Sequence, residues 1–420
     1  MKTFLRLAAR SAWNRRFVLS LAVLSIALST FLLVGIERIR SDVHENFAQS
    51  VSGTDLIVGA RTGPVQLVLY AVFHIGAATN NMRWTSVEAL SADPAVAWTV
   101  PISLGDSHQG FPVLGTTPAY FEHFRYGDGQ PLVFRAGKLF DGLFEAVLGA
   151  DVADALGYRL GDHIVLSHGI GNPNLPQHTD KPFVVTGILA RTGTPVDRTV
   201  HVSLAAIEAI HLDWQGGAPI AGFAIPADMV RKFDLTPKTV TAVLVGLKNR
   251  AAVFAMQRRV AGFKEEPLMG VLPGVALDEL WQVIGIGERA LLVISTLVAA
   301  VSLAGLVAVV LASLNERRRE LAILRALGAG PRHILLLLAL EGALIATTGT
   351  VIGVVAVAVL LPAIGPLVLT RYGLALSLSA PTPTQQLLVA AVLGAGWVAS
   401  LIPAYRAYRY SLIDGLTSQV

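Results

Sequence analysis

Four apolar runs, each long enough to cross a bilayer as a helix, constrain this chain more than any other feature. Phe17 to Ile36, Ala290 to Leu314 and Gln385 to Tyr405 carry no charge, and Ile334 to Leu361 carries only Glu341. A membrane helix needs about 20 mainly apolar residues to span the hydrocarbon, so these runs predict four transmembrane helices. Composition agrees. Of the 420 residues, 53% are hydrophobic and 15% charged, where a soluble domain carries roughly 25% charged residues. Pro64 to Ala78 is also apolar, but it is short and contains His74, so it reads as a buried or interfacial segment. The absence of cysteine excludes a disulfide framework, thiol chemistry and a Cys-ligated zinc site.

Lys and Arg concentrate in the short loops on the cytoplasmic side of a membrane protein. Residues 1–16 hold Lys2, Arg6, Arg10, Arg15 and Arg16 without an acid. The 315–332 loop holds Arg317, Arg318, Arg319, Arg325 and Arg332, the tail holds Arg406 and Arg409, and 362–384 holds only Arg371. Both termini and the 315–332 loop are therefore expected inside. The net charge of +4 then reflects topology and gives no ground for a nucleic-acid partner. The apolar core near the N-terminus exceeds the roughly 7–15 residues of a secretory signal and runs into Glu37-Arg38, which predicts an uncleaved anchor.

The expected organisation is a membrane α-helical protein of four transmembrane helices, with a large extracytoplasmic α+β domain between the first and second. Residues 1–16 read as a cytoplasmic amphipathic helix whose arginines face lipid headgroups, followed by a transmembrane helix at 17–36. The external domain is expected over 37–284 and the second transmembrane helix over 285–314. A cytoplasmic loop at 315–332, a helix at 333–362, an outer loop at 363–384, a helix at 385–405 and a cytoplasmic tail at 406–420 complete the chain. Within the domain, "FEAVLGADVADALGYRLGDHIVLSH" predicts strand, helix, turn and strand. "KPFVVTGILARTGTPVDRTVHVSL" predicts two strands around a Gly/Thr/Pro loop, "TVTAVLVGL" a further strand, and Gly169 to Pro182 an exposed loop.

Catalytic signatures are missing. A P-loop needs G-x-x-x-x-G-K-[ST] so that backbone N–H groups wrap phosphates. The one Gly-Lys pair, Gly137-Lys138, is followed by Leu139, and position 132 is Leu. "GDSHQG" at 105–110 misses the G-x-S-x-G spacing of a nucleophile elbow and reads as a polar turn. Nine of the ten histidines, all but His333, fall in the external domain without H-x-x-x-H or H-E-x-x-H spacing; they read as ordinary surface or hydrogen-bonded residues, with no metal or cofactor site assigned. Glu341, the one acid within a span, is a costly intramembrane charge read as structural, close to the cytoplasmic end. Gly349 and Gly353 form a GxxxG that allows close helix packing.

The densest charge is "LNERRRELAILRALGAG", Leu314 to Gly330. At 100° per residue, Glu316, Glu320, Ile323, Leu324 and Leu327 share one helical face, and Arg317, Arg318 and Arg325 another. Gly328 and Gly330 stop such a helix, and Pro331 suits the start of the next. An acidic and aliphatic face suits docking into a partner's groove, whereas the arginines anchor the loop.

"ERRRELAILRALGAGPRHI" resembles the cytoplasmic signature of the FtsX-like permease family, as found in MacB-type ABC transporters and the lipoprotein-releasing LolC/LolE subunits. "PAYRAYRYSLIDGL" is similar to that family's P-A-x-R-A-x-x-x-x-P-x-E-A-L ending, departing from it where Pro and Glu are usual. "GTDLIVGARTGPVQLVLYAVFHI", "VLGADVADALGYRLGDHIVL" and "FVVTGILARTGTPVDRTVHVSL" resemble stretches of the MacB-like periplasmic core. The resemblance implies a dimeric permease in a bacterial inner membrane, made with a second copy or a paralogue, and a cytoplasmic ABC ATPase on a separate polypeptide that binds the ATP. The 315–330 helix would dock on that ATPase, and its motion would reach the external domain to export or extract a lipoprotein, lipid or drug, with a periplasmic adaptor or lipoprotein as a further partner. An alternative within the resemblance is an FtsX-like signalling scaffold that controls a cell-wall hydrolase without transport. A secondary carrier fits poorly, because four spans lack matched broken helices.

Overall fold

The structure, a computed structural model, describes residues 16–50, 53–76, 80–127, 129–169, 177–215, 218–220, 223, 225–316, 323–326, 328–372 and 380–413. The chain divides into two compact units. One gathers residues 1–42, 285–366 and 376–420, and the other 43–284 and 367–375.

Among the described residues, four long helices, Arg16–Gln49, Pro273–Glu316, Pro331–Tyr372 and Pro383–Ile413, contain stretches long and apolar enough to span a membrane, Leu19–Glu45, Gly285–Ala312, Pro331–Val368 and Pro383–Tyr408. Each helix outlasts the apolar run that announced it. Beyond Ile36 the first helix is supported by Glu37–Arg40 at 2.8 Å and Arg38–Asp42 at 3.3 Å, pairs three and four residues apart that face each other on a helix. Pro362, Pro366 and Pro403 lie inside helices, which membrane helices tolerate when neighbours satisfy the freed carbonyls.

The membrane unit packs through a stripe of Leu19, Ala22 and Ile26 on the first helix, against Leu306, Val310, Ile345 and Ala346. Ser25 donates to Ser302 at 3.0 Å across the first two helices. Leu21, Leu24 and Leu28, on the other side of the first helix, are exposed and form a surface that lipid would solvate. Glu341 is 3% exposed. Gly349 and Gly353 lie against the first helix. A Cβ on Gly349 would stand 2.8 Å from Ile26 Cβ, and one on Gly353 would stand 2.6 Å from the Ala27 carbonyl oxygen and 2.7 Å from Thr30 Cβ. Helix association in lipid has little hydrophobic drive and relies on such close backbone approach. Gly353→Leu should therefore lower the melting temperature of the detergent-solubilised protein, at an overpacking cost of about 1–3 kcal/mol. Gly394→Leu, where a Cβ meets nothing within 4 Å, should leave it unchanged; equal effects of the two would refute this account.

Among the described residues the external unit is built on an eleven-stranded sheet. Its strands are β1 (Leu56–Ala60), β2 (Val96–His108), β3 (Phe111–Thr116), β4 (Phe134–Gly137), β5 (Glu145–Leu148), β6 (His163–Ile164), β7 (Ser167–His168), β8 (Phe183–Leu189), β9 (Val200–Ser203), β10 (Ala242–Leu247) and β11 (Leu268–Val271). The order is β11-β1-β10-β2-β3-β9-β5-β8-β4, with β7 added to β2 and β6 to β8. β1 and β10 are continuous apolar runs because both faces are covered. Ile57, Ala242 and Leu244 face a core that includes Leu67 and Val68 of the helix Pro64–Ala71, while Val58, Val243 and Val245 face Met256 and Val260 of the helix Val253–Ala261. A third core joins Val152, Ala206 and Ile210, from the helices Ala150–Leu156 and Leu204–His211, to Ala146, Leu148, Val185 and Val202.

The strand-helix-turn-strand pattern read at 144–168 appears as β5, the helix Ala150–Leu156 with Gly157 left-handed at its end, and then two short strands in place of one. The 169–182 stretch departs from the exposed loop expected of it. Residues 170–176 lie outside the described set, but His178 and Lys181 are completely buried. Two contacts hold them there: the half-buried Trp214 ring packs tilted against His178, and Lys181 pairs with the buried Asp213.

Candidate functional site

Of the residues assigned to partner docking, Glu320 and Leu327 lie outside the described residues, as do Arg317 and Arg318 of those assigned to loop anchoring. Glu316 is the last residue of the helix Pro273–Glu316. Residues 323–326 are helical, with Ile323 61% exposed and Leu324 and Arg325 half-buried. The helix is closed from its C-terminal side. Gly328 has φ +95° and donates to the Arg325 carbonyl at 2.9 Å, and Ala329 donates to the Leu324 carbonyl at 2.9 Å. This is the Schellman pattern, and it requires a left-handed residue that glycine supplies without strain. The His333 N–H then returns to the Gly330 carbonyl at 2.9 Å, opening the third long helix.

A second constellation sits in the external unit, and no local motif announces it. Asp106, His168, His178 and His211 bring one ligand atom each to within 4.8 Å of one another. Asp106 comes from the "GDSHQG" stretch, whose turn proves to be Gln109-Gly110 while Asp106 to His108 complete β2. Between Leu104 and Ser107 the pairing with β3 slips by one residue. Such a bulge re-aims a side chain. His168 lies directly across from Asp106 in the β7–β2 pair, and the pair is tied further by the Ser107 hydroxyl donating to the Gly169 carbonyl at 2.5 Å. His178 follows Gln177, which bridges to Ser167, and its N–H donates to the Leu166 carbonyl at 2.9 Å. His211 ends the helix Leu204–His211, whose start is capped by Ser203 accepting from the Ala206 N–H at 3.1 Å.

His168 Nδ1 stands 3.2 Å from Asp106 Oδ1 and 3.1 Å from His211 Nε2, and His211 Nε2 stands 3.5 Å from Asp106 Oδ1. His211 Nδ1 lies 2.8 Å from the Ile207 carbonyl, which only accepts, so this nitrogen carries the proton and Nε2 faces the cluster. Trp214 walls the site, its ring centre 4.0 Å from that of His178. Burial alone would raise the Asp106 carboxyl, but hydrogen bonds to His168 and His211 hold it at about 2. Burial pushes His178 down to about 4 against the attraction of Asp106. Burial also opposes charge on His211, but Asp106 outweighs it and leaves that imidazole raised. His168 and His211 border a cleft of about 240 Å³ that Asn81, Glu208 and Thr239 help to line.

Sequence reasoning missed this cluster because its members sit on four separated segments. The one local hint was that "DSH" and "LSH" fall on strands that later pair.

Residues 19–262 match the MacB-like periplasmic core domain, and residues 292–412 match the FtsX-like permease C-terminal family. The lipoprotein-releasing system transmembrane protein LolC of Neisseria meningitidis is 25% identical over 278 residues, which cover 63% of this chain and 60% of LolC. Among solved structures, the periplasmic region of MacB from Actinobacillus actinomycetemcomitans is 12% identical with a TM-score of 0.33, covering 56% of this chain and 94% of that one. The extracellular domain of the noncanonic ABC-type transporter YknZ from Gram-positive bacteria is 12% identical with a TM-score of 0.29, covering 52% and 99%.

Proposed function

This chain belongs to the family of FtsX-like permeases with a MacB-like periplasmic core, and on that premise we propose that it is the membrane subunit of an ABC transporter in a bacterial inner membrane. Its termini and the 315–332 loop face the cytoplasm, it pairs with a second permease copy or a paralogue, and a separate ATPase supplies the energy. The observation that carries this reading is the order of the two matches, with the periplasmic-core match running from the first span to residue 262 and the permease match covering 292–412, where the last three spans lie. The charge asymmetry of the loops supports the orientation.

The helix closed at Gly328 is the docking element. Glu316, Glu320, Ile323, Leu324 and Leu327 engage the ATPase, while Arg317, Arg318 and Arg325 hold the loop at the headgroups. An exposed Ile323 beside acids suits a groove that takes aliphatic anchors and bears positive charge. ATP-driven closure below is carried by helices that continue beyond their apolar runs, Arg16–Gln49 and Pro273–Glu316, and moves the external domain. The substrate then need not pass through the bilayer core. A lipoprotein, lipid or hydrophobic drug, engaged from the outer side of the membrane, is the substrate class this mechanism serves.

The test is co-purification with the partner ABC ATPase, in the wild type and in the Glu316→Lys/Glu320→Lys double variant. Like charges facing a positive groove repel, so association and stimulated ATP hydrolysis should each fall at least tenfold while the melting temperature is unchanged. Undiminished association and stimulation would remove the docking assignment.

A further inference from the structure

We propose that Asp106, His168, His178 and His211 form a binding site for a divalent transition cation of the Zn²⁺ type in the external domain. His168 Nδ1, His211 Nε2 and Asp106 Oδ1 form a triangle whose sides are 3.1, 3.2 and 3.5 Å. Zn–N and Zn–O bonds of roughly 2.0–2.1 Å in a tetrahedron place neighbouring ligand atoms about 3.3–3.4 Å apart. The three atoms already stand close to one face of that tetrahedron. A nitrogen of His178, within 4.8 Å of the others, supplies the fourth corner after a small movement.

Donor counting points the same way. In neutral His211 the Ile207 carbonyl holds the ring proton on Nδ1, and in that form Nε2 offers a lone pair. Asp106 offers only lone pairs. His168 Nδ1–H can satisfy one of these two acceptors. His178 is completely buried, and neither of its ring nitrogens has a hydrogen-bond partner. Leaving such a group unsatisfied carries the full desolvation penalty of its polar atoms. A cation at the centre would accept a pair from every ligand at once. The His211 Nδ1 bond to a backbone carbonyl is the usual outer contact that orients a metal-binding imidazole.

Three imidazoles and one carboxylate select first-row cations such as Zn²⁺ over Mg²⁺ or Ca²⁺, which take all-oxygen sites. The cleft beside His168 and His211, with Glu208 on its wall, gives a cation a way in. A bound ion would tie together β2, β7, the 177–178 segment and the end of the helix Leu204–His211, segments spread over residues 106 to 211. Binding is therefore coupled to the stability of the external domain.

The experiment uses the full chain in nanodiscs, stripped with a chelator and titrated calorimetrically with Zn²⁺, Mg²⁺ and Ca²⁺. Co²⁺ absorption reports geometry. Expected are one Zn²⁺ per chain with a dissociation constant below about 1 μM, no binding of Mg²⁺ or Ca²⁺, and a rise of at least several degrees in melting temperature. His168→Gln, at a partly exposed position, should weaken Zn²⁺ at least 100-fold without changing the metal-free melting temperature. Asp106→Asn should do the same to binding even if it lowers stability. Absence of stoichiometric Zn²⁺ binding, or binding undiminished in both variants, would overturn the proposal.

Discussion

Lys181→Ala should be the most damaging single substitution at any charged residue of the external domain. The Lys181 ammonium is completely buried, donates to Asp213 Oδ1 at 3.0 Å and Oδ2 at 2.8 Å, and reaches Asp180 Oδ2 at 2.6 Å. Asp213 is itself only 3% exposed and accepts a further hydrogen bond from the Ile225 N–H at 3.0 Å. Removing the ammonium leaves a carboxylate in low dielectric with one neutral donor, and breaking a buried pair in this way costs about 3–5 kcal/mol. The pair as a whole need not stabilise the fold by that amount, because both charges were desolvated to form it. Lys181→Met combined with Asp213→Leu should therefore recover most of the loss, short of the hydrogen bond that the Ile225 N–H gives up. Thermal or chemical unfolding of wild type, single and double variants decides this. A single variant as stable as wild type would mean that the pair is not buried in the protein. The pair also ties the 178–181 segment to residues 211–214, the two places that supply His178 and His211.

Acid should destabilise the same domain well before its carboxylates titrate. His74 and His201 are buried neutral imidazoles. His74 Nδ1 bonds the Thr199 hydroxyl at 2.9 Å, and His201 Nδ1 faces the Val147 carbonyl at 3.3 Å beside the rings of Tyr120 and Phe121. Burial pushes His74 down to about 4 and His201 to about 3, the latter opposed further by charge on His74. An unfolded histidine titrates near about 6.5. Between that value and the folded ones the unfolded chain binds protons that the fold refuses, so stability increases with pH. The contribution is complete above about pH 6.5 and is lost progressively as pH falls toward 4 and then 3. With 1.36 kcal/mol per unit of separation, the two sites together account for a loss on the order of several kcal/mol. Melting curves of metal-free protein from pH 7.5 down to 4.5 should show it, and His201→Phe, which removes one proton acceptor from an aromatic setting, should flatten the slope. An identical slope in wild type and variant would assign the acid sensitivity elsewhere.

How far the chain could be read without coordinates depended on the range of the interaction involved. Phe17 to Ile36 and its three counterparts announce spanning helices because a bilayer demands a fixed length of apolar residues, and that demand is met locally. The glycine that closes the 323–326 helix is equally local, since the turn needs a left-handed residue at one position. β10, within "TVTAVLVGL", is legible as an apolar run for the same reason. Gly394 and Gly396 look alike in sequence, yet a Cβ on Gly396 would stand 2.6 Å from Ala346 Cβ while one on Gly394 would meet nothing within 4 Å. Which face of a helix meets a neighbour is set by packing across the bundle.

By itself the sequence determined four membrane helices, a folded domain after the first of them, and kinship with FtsX-like permeases, all carried by composition, short-range periodicity and contiguous motifs. Tertiary structure alone decided that Lys181, in a stretch rich in Gly, Pro and Asn, is buried. It also decided that Asp106, His168, His178 and His211 share one centre. A strand pairing, a one-residue bulge and a helix end bring those four side chains together, and each is a long-range contact that leaves no fixed spacing along the chain.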